Sequence, residues 1–254
     1  MYDGWWSSSE EVYGVAGWVD PQERVLAAVT ALAGELADPV RLTALQLLAA
    51  EGPHTMSRLA EALGVSASRL GNHLARLRAA GLVTVEHTGR HAVYRVAKAG
   101  LGDVLVALSR YASEGEADLR AGLPPAPADV AHTCYDHTAG LLGVTVFATL
   151  VERGALRPPD GHRDELDLGA DRSAFADLGV DVEAVHPGRR KPATACLDKT
   201  HRLPHLGGAL GKAVLDAFLD QGLVETDPAG TRLLTVTAAG RAKLPKTLPA
   251  FVPD

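Results

Sequence analysis

Six side chains between Ser66 and Arg76 are of kinds that grip or read a polyanion. Ser66, Ser68, Arg69, Asn72, His73 and Arg76 alternate with Leu70, Leu74 and Leu77 at helical spacing. Such a helix is apolar on one face and short, polar and basic on the other. A guanidinium fork matches the edge of guanine, a carboxamide matches adenine, and hydroxyl or imidazole groups serve bases or phosphates. Arg90 and His91 follow at a turn, where a basic tip meets a phosphate backbone. A second chemically able set lies further on. Cys134, Asp136 and His137 form one short segment, and Cys196, Asp198, His201 and His205 form another. Thiolate, imidazole and carboxylate are transition-metal donors, and two segments meeting in space would supply four. Thiols beside histidine also suit a redox response. The plainer reading makes Asp136 and Asp198 the N-caps of following helices and both cysteines small buried hydrophobes. Their spacing is that of no familiar closed site, so no metal ligand is assigned.

The elements that must position these residues follow from periodicity and caps. Pro21 to Ala37 carries Val25, Leu26, Val29, Leu32 and Leu36 as one apolar stripe. Asp38 caps and Pro39 opens a second helix that runs to Ala50 and ends at Gly52-Pro53. Thr55 caps a third over Met56 to Leu63, stopped by Gly64. Ser66 caps a fourth, which runs to about Ala80. Leu82–His87 and His91–Val96 are β-branched and alternating around Thr88-Gly89-Arg90, which predicts a hairpin. A further helix spans Leu101 to about Leu119. After the stiff Pro124-Pro125-Ala126-Pro127 break, helices are expected over Asp136–Arg153 and His205–Gln221, with an irregular region at 155–195. A second hairpin pairs Leu223–Glu225 with Leu233–Thr237, and Ala238–Leu244 closes the chain with a helical turn.

Two internal echoes appear. Leu77-Arg78-Ala79-Ala80-Gly81-Leu82-Val83, a hairpin and Ala99-Gly100 are matched by Leu219-Asp220-Gln221-Gly222-Leu223-Val224, a hairpin and Ala239-Gly240. Cys134-Tyr-Asp136-His-Thr138 is matched by Cys196-Leu-Asp198-Lys-Thr200. The expected architecture is mainly α with small β-hairpins (α+β). A helix-turn-helix with a wing comes first, and a helical domain containing a degenerate second winged helix comes after it. The domain limits read as an arm over 1–20, a DNA-binding and dimerisation domain over 21–121, and a sensing domain over 122–254.

Charge is distributed to match. The net charge is −6, yet residues 38–111 hold nine Lys/Arg against five acids, a local balance of +4. A local phosphate-binding surface on an acidic molecule is the implication. No apolar run is long enough to span a bilayer, and the first residues lack a secretion signal, so a cytoplasmic protein with no membrane partner is expected.

The ordered combination of Asp38-Pro39-Val40-Arg41-Leu42, Leu59 through Ser66, Asn72 through Val83, and Gly89 through Val96 resembles the ArsR-type winged-helix repressors. The resemblance covers roughly 21–110. It implies double-stranded operator DNA as partner, a homodimer built by the first helix and the one after the wing, and repression relieved by a ligand. Relatives of this kind sense metals through cysteines before the recognition helix, or through acids and histidines after the wing. Here residues 54–59 hold no cysteine and 101–120 no histidine, so those sites are expected to be absent.

Sensing then falls to the C-terminal half. A small-molecule effector is expected there, with no required cofactor, at Cys134, Tyr135, His137, Cys196, His201 and His205. The alternative is a metal- or redox-sensing repressor using Cys134, Cys196 and nearby histidines. An organic pocket would be lined by Tyr135, Leu141, Phe147, Leu206 and Phe218. The rival class is a winged-helix-dimerised enzyme such as a methyltransferase. Gly207-Gly208-Ala209-Leu210-Gly211 is its strongest feature, but it reads as lying in a helix with no strand before it, and no nucleophile elbow or zinc-hydrolase motif is present. The chain is therefore read as a regulator and not an enzyme.

Overall fold

The computed structural model describes residues 23–88, 91–119 and 125–252. The arm at 1–20 and the wing tip at Gly89-Arg90 lie outside them, and His91 is placed only as a strand residue.

The N-terminal half opens with α1 (Arg24–Leu36) and α2 (Pro39–Glu51). Asp38 caps α2 by accepting a 2.9 Å hydrogen bond from the Arg41 N–H. A two-residue strand, β1 (His54–Thr55), leads into α3 (Met56–Leu63) and α4 (Ala67–Ala79). The hairpin β2 (Val83–Thr88) and β3 (His91–Val96) then joins β1 in a three-stranded antiparallel sheet of order β1-β3-β2. α5 (Leu101–Leu119) follows. Leu45, Leu48, Leu59, Leu70, Leu74 and Leu77 are fully buried and clamp α2, α3 and α4 together. At about 25 cal/mol per Å² of apolar surface removed from water, each such side chain contributes about 1.5–3 kcal/mol.

The C-terminal half has its own core, in which Leu142, Leu150, Phe175, Phe218 and Phe251 are buried. It begins with α6 (Pro127–Val130) and the hairpin β4 (His132–Cys134) and β5 (His137–Ala139), which runs straight into α7 (Gly140–Glu152). After an irregular stretch holding α8 (Ser173–Ala176), a second hairpin, β6 (Thr194–Leu197) and β7 (Pro204–Gly207), runs straight into α9 (Gly208–Asp220). β8 (Val224–Thr226), β9 (Leu234–Val236) and α10 (Ala238–Thr247) complete the half.

Two expectations are corrected here. His137 and His205 sit on strands, because each strand of three or four residues abuts its helix without a break. The glycine-rich 207–211 segment does follow a strand, but β7 belongs to an antiparallel hairpin and not to a parallel β-α-β unit. The first echo reappears in the backbone bonds. Leu82 N–H donates to Leu77 and Ala97 N–H to Leu82; Leu223 N–H donates to Phe218 and Thr237 N–H to Leu223.

Candidate nucleic-acid interface and cysteine–histidine cluster

The helix pair α3–α4 presents its polar face outward. Gly64 ends α3 with φ +66°, and Ser66 caps α4 by accepting from the Arg69 N–H at 3.3 Å. Ser66, Ser68, Arg69, Asn72, Arg76 and Arg78 are exposed, while Leu70, Leu74 and Leu77 face the core. Two of the expected contact residues are engaged within the chain. Arg76 Nε donates to both carboxylate oxygens of Glu35 on α1, at 3.0 and 2.9 Å. His73 is half-buried, with Nδ1 3.4 Å from Asp38. Arg69 has no ion-pair partner among the described residues.

In the C-terminal half the two hairpins face each other. Cys134 pairs with His137 across β4–β5, and Cys196 pairs with His205 across β6–β7. The two sulfurs and one ring nitrogen from each imidazole lie within 4.8 Å of one another. The imidazoles are 4% and 1% exposed, so both are desolvated. His137 Nε2 and both nitrogens of His205 have no hydrogen-bond partner among the described residues, a costly state for buried polar atoms. The ring centroids stand 5.2 Å apart. His137 Nδ1 faces Asp136 at 3.7 Å, and Asp136 is held by Arg190 through contacts of 2.7 and 2.9 Å.

The two thiols share a proton unequally. Cys134 is pulled well below the ordinary thiol value, chiefly because its thiolate accepts a hydrogen bond from Cys196, with the His137 and His205 rings adding to the effect. Cys196 is pushed up, first as the donor in that bond, then by burial and the nearby Glu51 carboxylate. Asp198 is buried, which by itself raises its carboxyl. The N–H groups of His201 and Gly140, which donate at 2.8 Å each, outweigh that and hold it below its ordinary value of 3.8.

A family model described as a bacterial regulatory protein of the arsR family matches residues 38–85. An HTH-type transcriptional regulator of Bacillus subtilis (strain 168), YdfF, is 33% identical over 214 residues, covering 84% of this chain and 93% of that protein. This chain belongs to the ArsR family. The HTH-type transcriptional repressor SmtB of Mycobacterium tuberculosis is 35% identical over 94 residues, covering 37% of this chain and 69% of the repressor. The solution structure of a homodimeric winged helix-turn-helix DNA-binding domain, Mb0332 from Mycobacterium bovis, is 28% identical, with a TM-score of 0.34. It covers 39% of this chain and 91% of that one. The ArsR-family protein is thus a DNA-binding transcriptional regulator, with a mixed α+β fold, and not an enzyme. No helix among its described residues is long and apolar enough to cross a membrane.

Of the effector residues expected in this ArsR-family regulator, the structure gathers Cys134, His137, Cys196 and His205. It leaves two apart. Tyr135 is 82% exposed at the tip of the β4–β5 turn. His201 Nε2 lies 2.8 Å from the Asp129 carbonyl and ties the β6–β7 loop to α6. The helix-cap reading of the aspartates is corrected. The residues flanking α7 and α9 at the start, Ala139 and Gly207, make no side-chain cap. Asp198 instead accepts from Gly140 at the start of α7, 58 residues earlier in the chain, and Asp136 pairs with Arg190. The cysteines are half-buried at the cluster, not sealed in the core. Of the expected organic pocket, Leu206 and Phe218 are core residues at 2% and 1% exposure. A cleft of about 400 Å³ does lie between the halves, lined by Ala49, Leu105 and Arg110 on one side and Val144, Phe147 and Val151 on the other.

One connection was not visible in the sequence. The Leu197 N–H, next to Cys196, donates to the Glu51 carboxylate at the end of α2 at 3.0 Å. The other Glu51 oxygen lies 3.2 Å from His54 Nε2 on β1. Glu51 therefore joins the cysteine–histidine hairpin to the strand that leads into the helix-turn-helix.

Proposed function

We propose that this regulator is a cytoplasmic repressor that binds operator DNA as a homodimer and releases it when its C-terminal half, from about residue 122, takes up an effector. The observation that carries this reading is the Glu51 bridge. A change at Cys196 acts on Leu197, and through Glu51 and His54 on β1 and the start of α3. Base contacts are assigned to Ser66, Ser68, Arg69 and Asn72. Arg76 and His73 are assigned to the edge of the face, where contact with DNA competes with Glu35 and Asp38. Arg90 and His91 are assigned to phosphate or minor-groove contact at the wing.

The dimer is supported by exposed apolar side chains on the two helices that flank the winged helix. Val25 and Val29 on α1 are 68% and 58% exposed, and α1 has no buried residue at all. Val104, Leu108 and Tyr111 on α5 are exposed as well. Pairing α1 and α5 with a second copy would bury this patch and place two recognition helices on successive half-sites. Sedimentation of the full chain tests it. A dimer that dissociates in Val29→Asp is expected, and a wild-type monomer at assay concentrations contradicts it.

A further inference from the structure

We infer that Cys134, His137, Cys196 and His205 form a binding site for a divalent transition metal of the zinc class. The inference rests on reading this half as the sensing half, and it names the effector chemistry. Two thiolates and two imidazoles are a complete ligand set for a closed tetrahedral ion. Bond lengths of about 2.0–2.3 Å place ligand atoms about 3.3–3.8 Å apart, so a spread within 4.8 Å closes by a shift of about 1 Å. A bound ion would give one otherwise unpartnered ring nitrogen of each imidazole a partner. Asp136 lies 3.7 Å from His137 Nδ1, so an ion held by Nε2 would leave a carboxylate on the other side of the ring.

The site is built from two segments of like sequence and like backbone. His137-Thr-Ala-Gly140-Leu-Leu-Gly143 and His205-Leu-Gly-Gly208-Ala-Leu-Gly211 share the pattern His-x-x-Gly-x-Leu-Gly. Gly140 and Gly208 turn strand into helix with φ of +72° and +77°. The packing is reciprocal. A side chain at Gly143 on α7 would stand 3.4 Å from the His205 Cβ, and one at Gly211 on α9 would stand 3.2 Å from the His137 Cβ. Each helix thus buttresses the other hairpin's histidine. The two strand–helix units each deliver one cysteine and one histidine to the place where the hairpins meet.

The test is a Co²⁺ titration of the full chain, reduced and stripped with chelator. One equivalent per chain should produce sulfur-to-metal charge transfer and the intense visible bands of tetrahedral cobalt, both abolished by Zn²⁺. Cys196→Ser and His205→Ala should each lose or redshape those bands while keeping the helical circular dichroism of the wild type. Asp136→Asn should keep the bands and weaken affinity by about 10–100-fold. A pale octahedral spectrum without charge transfer, or full bands in the Cys134→Ser/Cys196→Ser variant, would overturn the site. Operator binding by the metal-free protein is measured in parallel. Its loss would defeat the repressor reading and leave the metal site standing; a missing cobalt spectrum with intact operator binding would do the reverse.

Discussion

Arg69 and Arg76 stand on one helix in different electrostatic situations. Arg69 makes no ion pair among the described residues and can fork onto a base edge, a bidentate contact that discriminates by about 1–3 kcal/mol. Arg76 is tied to Glu35, so its gain on DNA is offset by a broken ion pair. Arg69→Ala is therefore expected to weaken specific binding by about 10-fold or more, and Arg76→Ala by less, in anisotropy titrations with one duplex. The chemistry of the C-terminal residues was legible as types but not as a set. All four clustered ligands were among the candidates, yet so were Tyr135 and His201. Nothing in the spacing of Cys196 and His205 says that they face each other across a hairpin. Asp198 carries a separate prediction. Its folded value is depressed, so the stability it confers is complete above the ordinary carboxylate range and is lost as pH falls through the folded value. Asp198→Asn should cost about 1.5–3 kcal/mol near neutral pH. That gap to wild type should narrow in acid, as read by urea unfolding at several pH values.

At the scale of elements, the winged helix was legible because each helix carries its own start and stop. Asp38, Thr55 and Ser66 cap with their side chains as their types suggest, and Gly64 takes the left-handed conformation that ends α3. β1 was missed because two residues show no alternation. β5 and β7 were missed for a related reason: His137–Ala139 and Pro204–Gly207 are too short to show period two, and the apolar helices after them absorb the pattern. The signal that does reveal them is the paired His-x-x-Gly-x-Leu-Gly, since a glycine three residues past each histidine marks the corner. Gly208 tests that corner. A Cβ there would stand 2.8 Å from the Lys191 carbonyl oxygen, in a left-handed conformation. Gly208→Ala is expected to destabilise the chain by about 1–3 kcal/mol, and to lower metal affinity by displacing His205. Thermal unfolding with and without Zn²⁺ measures both.

At the scale of the molecule, the two halves are joined by contacts that a periodicity argument has no means of finding. Gly52 packs against the Arg163 backbone, and Gly161 against Leu48 and Val96, so the irregular 155–195 region seats on the winged helix. Leu197 and Glu51 add the polar link. Couplings between distinct sites are typically about 1–3 kcal/mol, or 5–150-fold in affinity. Glu51→Ala should keep the cobalt spectrum and operator binding, yet shrink the effect of metal on operator affinity below that range. An undiminished response in this variant would place the route elsewhere, for instance through the cleft between α5 and α7.

The most direct measurement is a salt-titrated anisotropy assay of the full chain. It compares the chain's own upstream DNA with a scrambled duplex, each without metal and with one equivalent of Zn²⁺. The account predicts that the metal-free protein prefers the upstream duplex and that its log affinity falls linearly with log salt as counterions are released. Zn²⁺ then weakens that preference. Equal affinity for the two duplexes, or no binding at low salt, would contradict it.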